Sequence, residues 1–461
     1  MTFDEKLKAR AQREGSPMPE GFDERMDALL HDLPEQVTPI KKRRPARTAV
    51  CIGIAAALVV GTAAATPTVI QMAQGAIGYF TQNSGSEYAE YQGKYEKYNA
   101  AVGMSDTNGD QTLTIDNLAV DDSYMLVFYT LKSSTPIMLQ GTDDDPQTWR
   151  TKWTAPTFFA QINGKLLDTT GAIENEATMP DAYTLTGVHR IVLKEALPDQ
   201  FDLVLYDGGS SDITNVNFQF EMSVDKSAVA VETLTVEPKQ DFTVEFDYES
   251  ANGVTVPIRN TPRIERVSIS PFGSTLALSE RAENPLTSFV LRDDKGNYLP
   301  VISNGSVGST IERVTNTFEF IGADLDTKSV TLIPCIDKGN MHEVKGGLDS
   351  MPLTDDSACG YTLESLDIGE HRAVATFSFR GPVTMSNVQF SLLLADGTEL
   401  DHLTDCFMDF RYDRENGLCI TTIEYPDATP EQIAQITSVS FWQPDDDLEL
   451  LEDQAVTIDL Q

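Results

Sequence analysis

The chain has 461 residues and a formal net charge of −37, from 34 Lys and Arg against 71 Asp and Glu. Acidity on this scale excludes nucleic acid as a partner of the main body, because phosphate binding needs a basic surface. The length is enough for several domains, and the excess of carboxylates keeps such a body soluble and self-repelling.

Residues 1–40 read as a short helical segment. Thr2-Phe3-Asp4-Glu5 has the pattern of a capping box, and Ser16-Pro17-Met18-Pro19 breaks the helix that follows. A second helix is predicted from Pro19 to Leu33, where Pro34 stops it. Its residues Phe22, Met26, Leu29, Leu30 and Leu33 fall on one apolar stripe. Forty residues cannot bury such a stripe in a core of their own, so a partner protein is expected to cover it. The alternative, a helix lying on a membrane, would set Asp23, Glu24, Asp27 and Asp32 against an anionic leaflet.

Residues 41–47 form a basic stop, with Lys41, Lys42, Arg43, Arg44 and Arg47, and no further Lys or Arg occurs before Lys94. A transmembrane helix is predicted at 48–68. The 19 residues from Thr48 to Thr66 would span about 28 Å as a helix, close to the hydrocarbon thickness. The cations on its N-terminal flank put residues 1–47 in the cytoplasm and the remainder outside. A signal peptide is the other reading, with Thr62-Ala63-Ala64-Ala65 as a cleavage site, but some 47 residues is long for what precedes an apolar signal core. Residues 1–47 hold 10 of the cations and 9 of the anions, which leaves the outside with 24 cations against 62 anions.

Within the span, Ala49, Gly53, Ala57, Gly61 and Ala65 make a ladder of small residues, which would let two copies of the helix pack closely into a homodimer. Ala and Gly fill nine of the 19 positions, so the same ladder could arise by chance. That composition also suits an easily unwound helix, open to cleavage within the membrane. Residues 69–100 are predicted as a juxtamembrane neck helix, with Tyr88, Tyr91, Tyr95 and Tyr98 on one face for docking on the first outer domain.

From Thr112 the apolar period becomes two, as in Leu126/Phe128, Val267/Ile269 and Phe318/Phe320. Asn-Gly at Asn108, Asn163, Asn252, Asn304 and Asn416, with Asp396-Gly397, supplies hairpin turns. The outer region is therefore predicted to be mainly β, as two or three tandem immunoglobulin-like β-sandwiches. The expected divisions are a first β domain at 101–260, a second β-sandwich at 261–345 and a third at 358–461. An internal repeat supports them. Phe289, Leu291, Gly296 and Leu299 recur as Phe390, Leu392, Gly397 and Leu400, and Ser329-Val330-Thr331 to Pro334 recurs as Ser438-Val439-Ser440 to Pro444, each copy ending as a strand leaves the sheet at Pro. A looser third copy is Phe158 to Leu166 followed by Leu197 to Leu205.

No catalytic constellation is present. The five His make no metal-ligand spacing, and no GxSxG or phosphate loop occurs, so neither enzyme activity nor a cofactor or metal is expected. Asp106-Thr107-Asn108-Gly109-Asp110 starts like a calcium loop but has Gln111 and Asn117 where Gly and Glu are needed, and reads better as a hairpin turn. Cys335, Cys359, Cys406 and Cys419 leave three pairings open, and none has zinc spacing.

This order of parts, with Asn108-Gly109, Leu113, Ile115, Asp122, Val127 and Tyr129 after the neck, resembles the anti-sigma-factor-like membrane proteins of Gram-positive bacteria that carry an ectodomain of unknown function. The stretch from Arg263 to Leu278, with Ser270-Pro271-Phe272-Gly273, looks like the start of a second domain often found in that family. The resemblance implies a single-pass regulator in the cell membrane whose cytosolic segment binds a sigma factor, in agreement with the stripe from Phe22 to Leu33. The His/Cys zinc set of some anti-sigma factors has no counterpart here. The competing reading is a cell-envelope binding or adhesion protein anchored by its N-terminal helix.

Overall fold

The computed structural model describes residues 100–461, apart from 143–146, 170–173, 208–215, 226–232, 250–254, 271, 282–287, 309–312, 385, 415 and 447. The cytosolic helices, basic stop, span and tyrosine face expected before residue 100 lie outside the described residues. Among those described, no helix is long and apolar enough to cross a membrane. Ala100, expected as the end of the neck helix, is the first residue of a strand.

The described chain is mainly β, as expected, and its antiparallel sheets pair into three sandwiches. The first is built from β1 (Ala100–Asn108), β2 (Gln111–Val120), β3 (Tyr124–Ser133), α1 (Gln147–Thr154), β4 (Phe158–Ile162), β5 (Lys165–Leu166), β6 (Glu174–Asp181), β7 (Thr184–Val192), β8 (Gln200–Asp207) and β9 (Phe218–Asp225). Its sheets run β1-β2-β3-β7-β6 and β5-β4-β8-β9. Leu113, Ile115 and Val127 from one sheet meet Phe158, Leu203 and Phe220 from the other. Asn108-Gly109 makes the β1–β2 turn, with Gly109 at φ +62°. Asp106 accepts from the amides of Thr107 and Gln219, so this acidic stretch serves as a hairpin end stitched to β9.

The second sandwich has β10 (Leu234–Val236), β11 (Gln240–Asp241), β12 (Val244–Glu249), β13 (Thr255–Asn260), β14 (Arg263–Ser270), β15 (Gly273–Arg281), β16 (Phe289–Asp293), β17 (Tyr298–Leu299), β18 (Val301–Gly308), β19 (Arg313–Phe320) and β20 (Ser329–Ile336). One sheet runs β10-β14-β15-β19-β18, with β11 also on β14; β16 lies between β17 and β20 in the other. The third sandwich has β21 (Met341–Gly347), β22 (Gly360–Ile368), β23 (Arg372–Arg380), β24 (Phe390–Leu394), β25 (Phe407–Asp413), β26 (Leu418–Glu424), α2 (Pro430–Ile433) and β27 (Ile436–Pro444). Its sheets run β21-β27-β24 and β22-β23-β26-β25.

The chain then returns. The strands β28 (Glu449–Leu450) and β29 (Val456–Asp459) both pair with β20 of the second sandwich. Leu451, Ile458 and Leu460 enter the second core beside Leu276, Phe318 and Leu332. The third sandwich is thus inserted into the second. The expected boundaries shift accordingly: residues 234–260 join the second sandwich through β10, β11, Phe242 and Val244, the third begins at β21, and residues 449–460 leave it. Period-two alternation marks a strand and its buried face, but carries no record of which sheet the strand joins.

The internal repeat has a structural counterpart. Gly296 and Gly397 hold φ +88° and +87° in equivalent turns after β16 and β24, and β16 pairs β20 as β24 pairs β27. The looser copy fits the same plan, with β4 beside β5 and β8. Two expectations fail. Pro334 stays within β20, where its carbonyl accepts from Leu451 N at 2.9 Å, because the returning segment supplies the donor. Asn304-Gly305 lies inside β18, opposite Phe318 and Thr317, and so makes no turn.

Candidate functional site

Alternation along β3 and β7 sends Val127, Tyr129 and Ile191 into the first core. The opposite face should meet water, yet Tyr124, Leu126, Phe128, Val188 and Arg190 are all buried. The outer face of β14, β15 and β19 is also dry, with Arg266, Ser268, Thr275, Thr317 and Glu319 buried. Contacts between the two faces account for this. Arg190 donates from Nη1 and Nη2 to Glu319 Oε1 and Oε2 at 3.1 and 2.5 Å. Its guanidinium carbon stands 4.2 Å from the Tyr124 ring centroid, and Tyr124 Oη donates to Glu319 Oε2 at 3.4 Å. The two charged side chains are 0% and 2% exposed.

The third sandwich reaches the same carboxylate. Arg414, in the β25–β26 turn and nearly buried, places Nη2 3.9 Å from Glu319 Oε2. Glu319 is therefore an anion held by cations from two other sandwiches. The fork geometry of Arg190 satisfies both oxygens of Glu319, as a buried ion pair requires.

Around it, Arg266 donates to the carbonyl of Asp122, and Asp121 accepts from the amides of Ser123 and Tyr124 at 2.6 Å each. Burial raises the Asp121 carboxyl, against the pull of hydrogen bonds from Ser270, Ser123 and Tyr124 and the charge of Arg266. Gly273 is needed where it stands. Its φ is +147°, and a Cβ there would come within 2.6 Å of Tyr124 Oη. Further contacts tie the sandwiches together: Trp149 on α1 lies edge-on to Phe407 at 5.7 Å, and Lys152 meets Asp409 at 2.8 Å. Such an arrangement can fix the mutual orientation of three sandwiches and couple a disturbance in one to the others; it offers no nucleophile or acid–base pair to a substrate.

A second polar cluster clamps the two crossings between the second and third sandwiches. His342, at the start of β21, has Nδ1 2.6 Å from Asp445 Oδ1 and Nε2 2.6 Å from Asp355 Oδ2. Asp355 also pairs with Arg380 at 3.0 Å, and Asp445 N donates to the carbonyl of Asn340. The Asp355 hydrogen bond, against some desolvation and with help from Asp445, raises the His342 pKa. Burial alone would raise Asp355, but hydrogen bonds from His342, Gln443 and Ser357 outweigh it and hold the carboxyl below its usual range.

The sign follows for each group. Stabilisation from His342 is complete below its unfolded value of 6.5 and is lost as pH rises through the raised one. That from Asp355 is complete above 3.8 and is lost on acidification through the lowered value. His342 is 37% exposed, so its share is expected to be about 1 kcal/mol or less. His342→Gln is expected to destabilise the third sandwich more at pH 5.5 than at pH 8.5, measured by urea unfolding. Equal losses at the two pH values would show that the imidazole charge contributes nothing.

The candidate residues named from sequence alone, the Phe22–Leu33 stripe, the basic stop and the small-residue ladder, lie outside the described residues. The Glu319 junction was not foreseen. Its members are 129 positions apart, and a single Arg or Glu in a strand carries no local signal. Among the described residues, Glu399, Asp401 and His402 alone bring three metal-ligating types within 4.8 Å of one another, with two of them exposed. Cys335, Cys359, Cys406 and Cys419 are free thiols. In the β25–β26 register Cys419 faces Tyr412 while Cys406 precedes the far end of β25, so the hairpin keeps that pair apart.

Residues 40–133 match the model of a domain of unknown function, DUF4179, and residues 259–364 that of a family of unknown function, DUF5643. The first match ends with β3 and the second runs from β13 into β22. No curated protein matches the chain. Among solved structures, a conserved domain protein from Bacillus anthracis is similar at 12% identity and TM-score 0.35, over 80% of this chain and 94% of that one. The eight N-terminal immunoglobulin domains of Down syndrome cell adhesion molecule are similar at 8% identity and TM-score 0.13, over 78% of this chain and 41% of that one. At such scores the fold rests on the strand pairings themselves.

Proposed function

We propose that the chain is a single-pass membrane regulator of the anti-sigma-factor type. In this reading residues 1–40 bind a sigma factor in the cytoplasm through Phe22, Met26, Leu29, Leu30 and Leu33, and the three sandwiches face the outside. The observation that carries it is the apolar stripe, which a 40-residue segment cannot bury alone, joined across a basic stop and an apolar span to an acidic β body. The match to DUF4179, a domain family known from anti-sigma-factor-like membrane proteins, supports it and begins at the basic stop. The Glu319 junction suits such a role, because sandwiches locked together would pass a change on as one body.

The test is capture of a sigma factor by the full chain from membranes of its own cells. Replacing Phe22, Met26 and Leu30 by Ala is expected to weaken that capture about 30-fold or more, since each is read as a buried anchor. Unchanged capture would remove the stripe from the mechanism. Under the adhesion reading, deleting residues 1–40 would leave function intact.

A further inference from the structure

The third sandwich has a cavity of about 310 Å³ where its two sheets part, between the edge strands β24 and β25. A volume of that size is at the lower end for small-ligand sites and holds an aromatic ring with a short chain. Leu392, Phe407, Met408 and Phe441 give it apolar walls, and Trp442, 55% exposed, stands at its margin. The charged lining groups are Glu399 and Asp401; no Lys or Arg lines the cavity among the described residues. Ser391 Oγ donates to Glu399 Oε2 at 3.0 Å and so fixes one carboxylate at the rim. The Cys406 thiol, also in the lining, is pushed up to about 11 by burial and then by the charges of Asp401 and Asp405.

We infer that this cavity binds an organic cation, an ammonium or guanidinium carried on an apolar or aromatic body. The walls take the body, Glu399 and Asp401 take the charge, and Trp442 at the margin adds an aromatic surface of the kind that attracts cations. An anionic ligand would meet two carboxylates and no compensating cation. The net charge of −37 raises the local concentration of cations for the same reason. The site is independent of any sigma factor. Two sources share this chemistry, a free small amine and a basic side chain on an amphipathic peptide.

The test uses the full chain in nanodiscs of zwitterionic lipid at pH 7.5, with empty discs as the blank. Binding of 4-phenylbutylammonium is followed by calorimetry and tryptophan fluorescence. Saturable binding is expected, with neutral 4-phenylbutanol about tenfold weaker or worse and anionic 4-phenylbutyrate not bound. The double variant Glu399→Gln and Asp401→Asn, which keeps the shape of both side chains, is expected to lose about tenfold for the ammonium and nothing for the alcohol. Trp442→Phe is expected to reduce the fluorescence change, leaving the share from Trp149 against Phe407, and to keep the calorimetric signal. A soluble Lys/Leu peptide that displaces the probe assigns the peptide source; if only the small ammonium binds, the free amine is assigned. Equal binding of ammonium and alcohol, an unaffected double variant, or no saturable binding of either cation overturns the inference.

Discussion

Ile458→Asp is expected to unfold the second sandwich while the third stays folded. Ile458 is 2% exposed and pairs with Val330 across the β29–β20 ladder. Removing the isoleucine side chain loses about 2–3 kcal/mol of burial, and the carboxylate adds a desolvation cost on top. Together these reach about 5 kcal/mol, a large part of the stability of an ordinary domain. The third core draws nothing from β28 or β29, although Ile302 and Ile321 of the second sandwich touch it. Amide hydrogen exchange reads the outcome. The amides of Leu276 and Phe318 should lose protection, and those of Phe377 and Val439 should keep it. Loss of protection in the third sandwich alone would show that β29 serves that domain, against the pairing described above.

Breaking the Arg190–Glu319 pair is the second large effect. Arg190→Met takes the two-pronged guanidinium from a dry Glu319, which keeps the neutral Tyr124 hydroxyl and the more distant Arg414 beside it, and a cost of about 3–5 kcal/mol is expected. Glu319→Gln should cost a similar amount, because Arg190 then loses the carboxylate that both its Nη groups meet. The double variant should lose less than the sum of the two, since each single change has already removed the interaction. Guanidinium unfolding of the four proteins gives the coupling directly. A single-variant loss under about 1 kcal/mol is the behaviour of a solvated pair, and would mean that water reaches the junction. A successful result would also separate two contributions: the burial of Leu126 and Phe128 would remain, while the ionic clamp would be gone.

Much of the β architecture was legible. Asn108-Gly109, Asn163-Gly164, Asp396-Gly397 and Asn416-Gly417 all mark turns with glycines at positive φ, because a tight hairpin demands that conformation. The repeat of Phe289 and Leu291 in Phe390 and Leu392 marked equivalent turns, closed by Leu291 against Leu299 in one copy and by Leu393 against Glu399 in the other. What could not be read was the fate of the second face. Thr275, Thr317 and Ser268 have the polarity of solvent-facing positions, yet they are buried, on the face of the second sandwich from which Glu319 meets Arg190. Small polar side chains leave both outcomes open, and the choice is made by another domain's surface. The return of residues 449–460 was hidden for a related reason: a four-residue strand fits either neighbour. The Glu319 junction adds a third case, since charges brought together from three sandwiches leave no spacing to detect.

The insertion of one sandwich within another sets an order on synthesis. The second core opens with Leu234 and Val236 and is closed only by Ile458 and Leu460, more than two hundred residues later. A chain emerging from its N-terminus completes β21 to β27 before it can complete the domain that encloses them. The inner sandwich therefore folds while the outer one still exposes one edge of β20 to the medium, with its partners β28 and β29 not yet made. Such late closure is slow and leaves sheet edges open to wrong pairing. The charges that flank β20 in the chain, Lys328, Asp337 and Lys338, would keep the half-built protein from pairing with its neighbours during that interval.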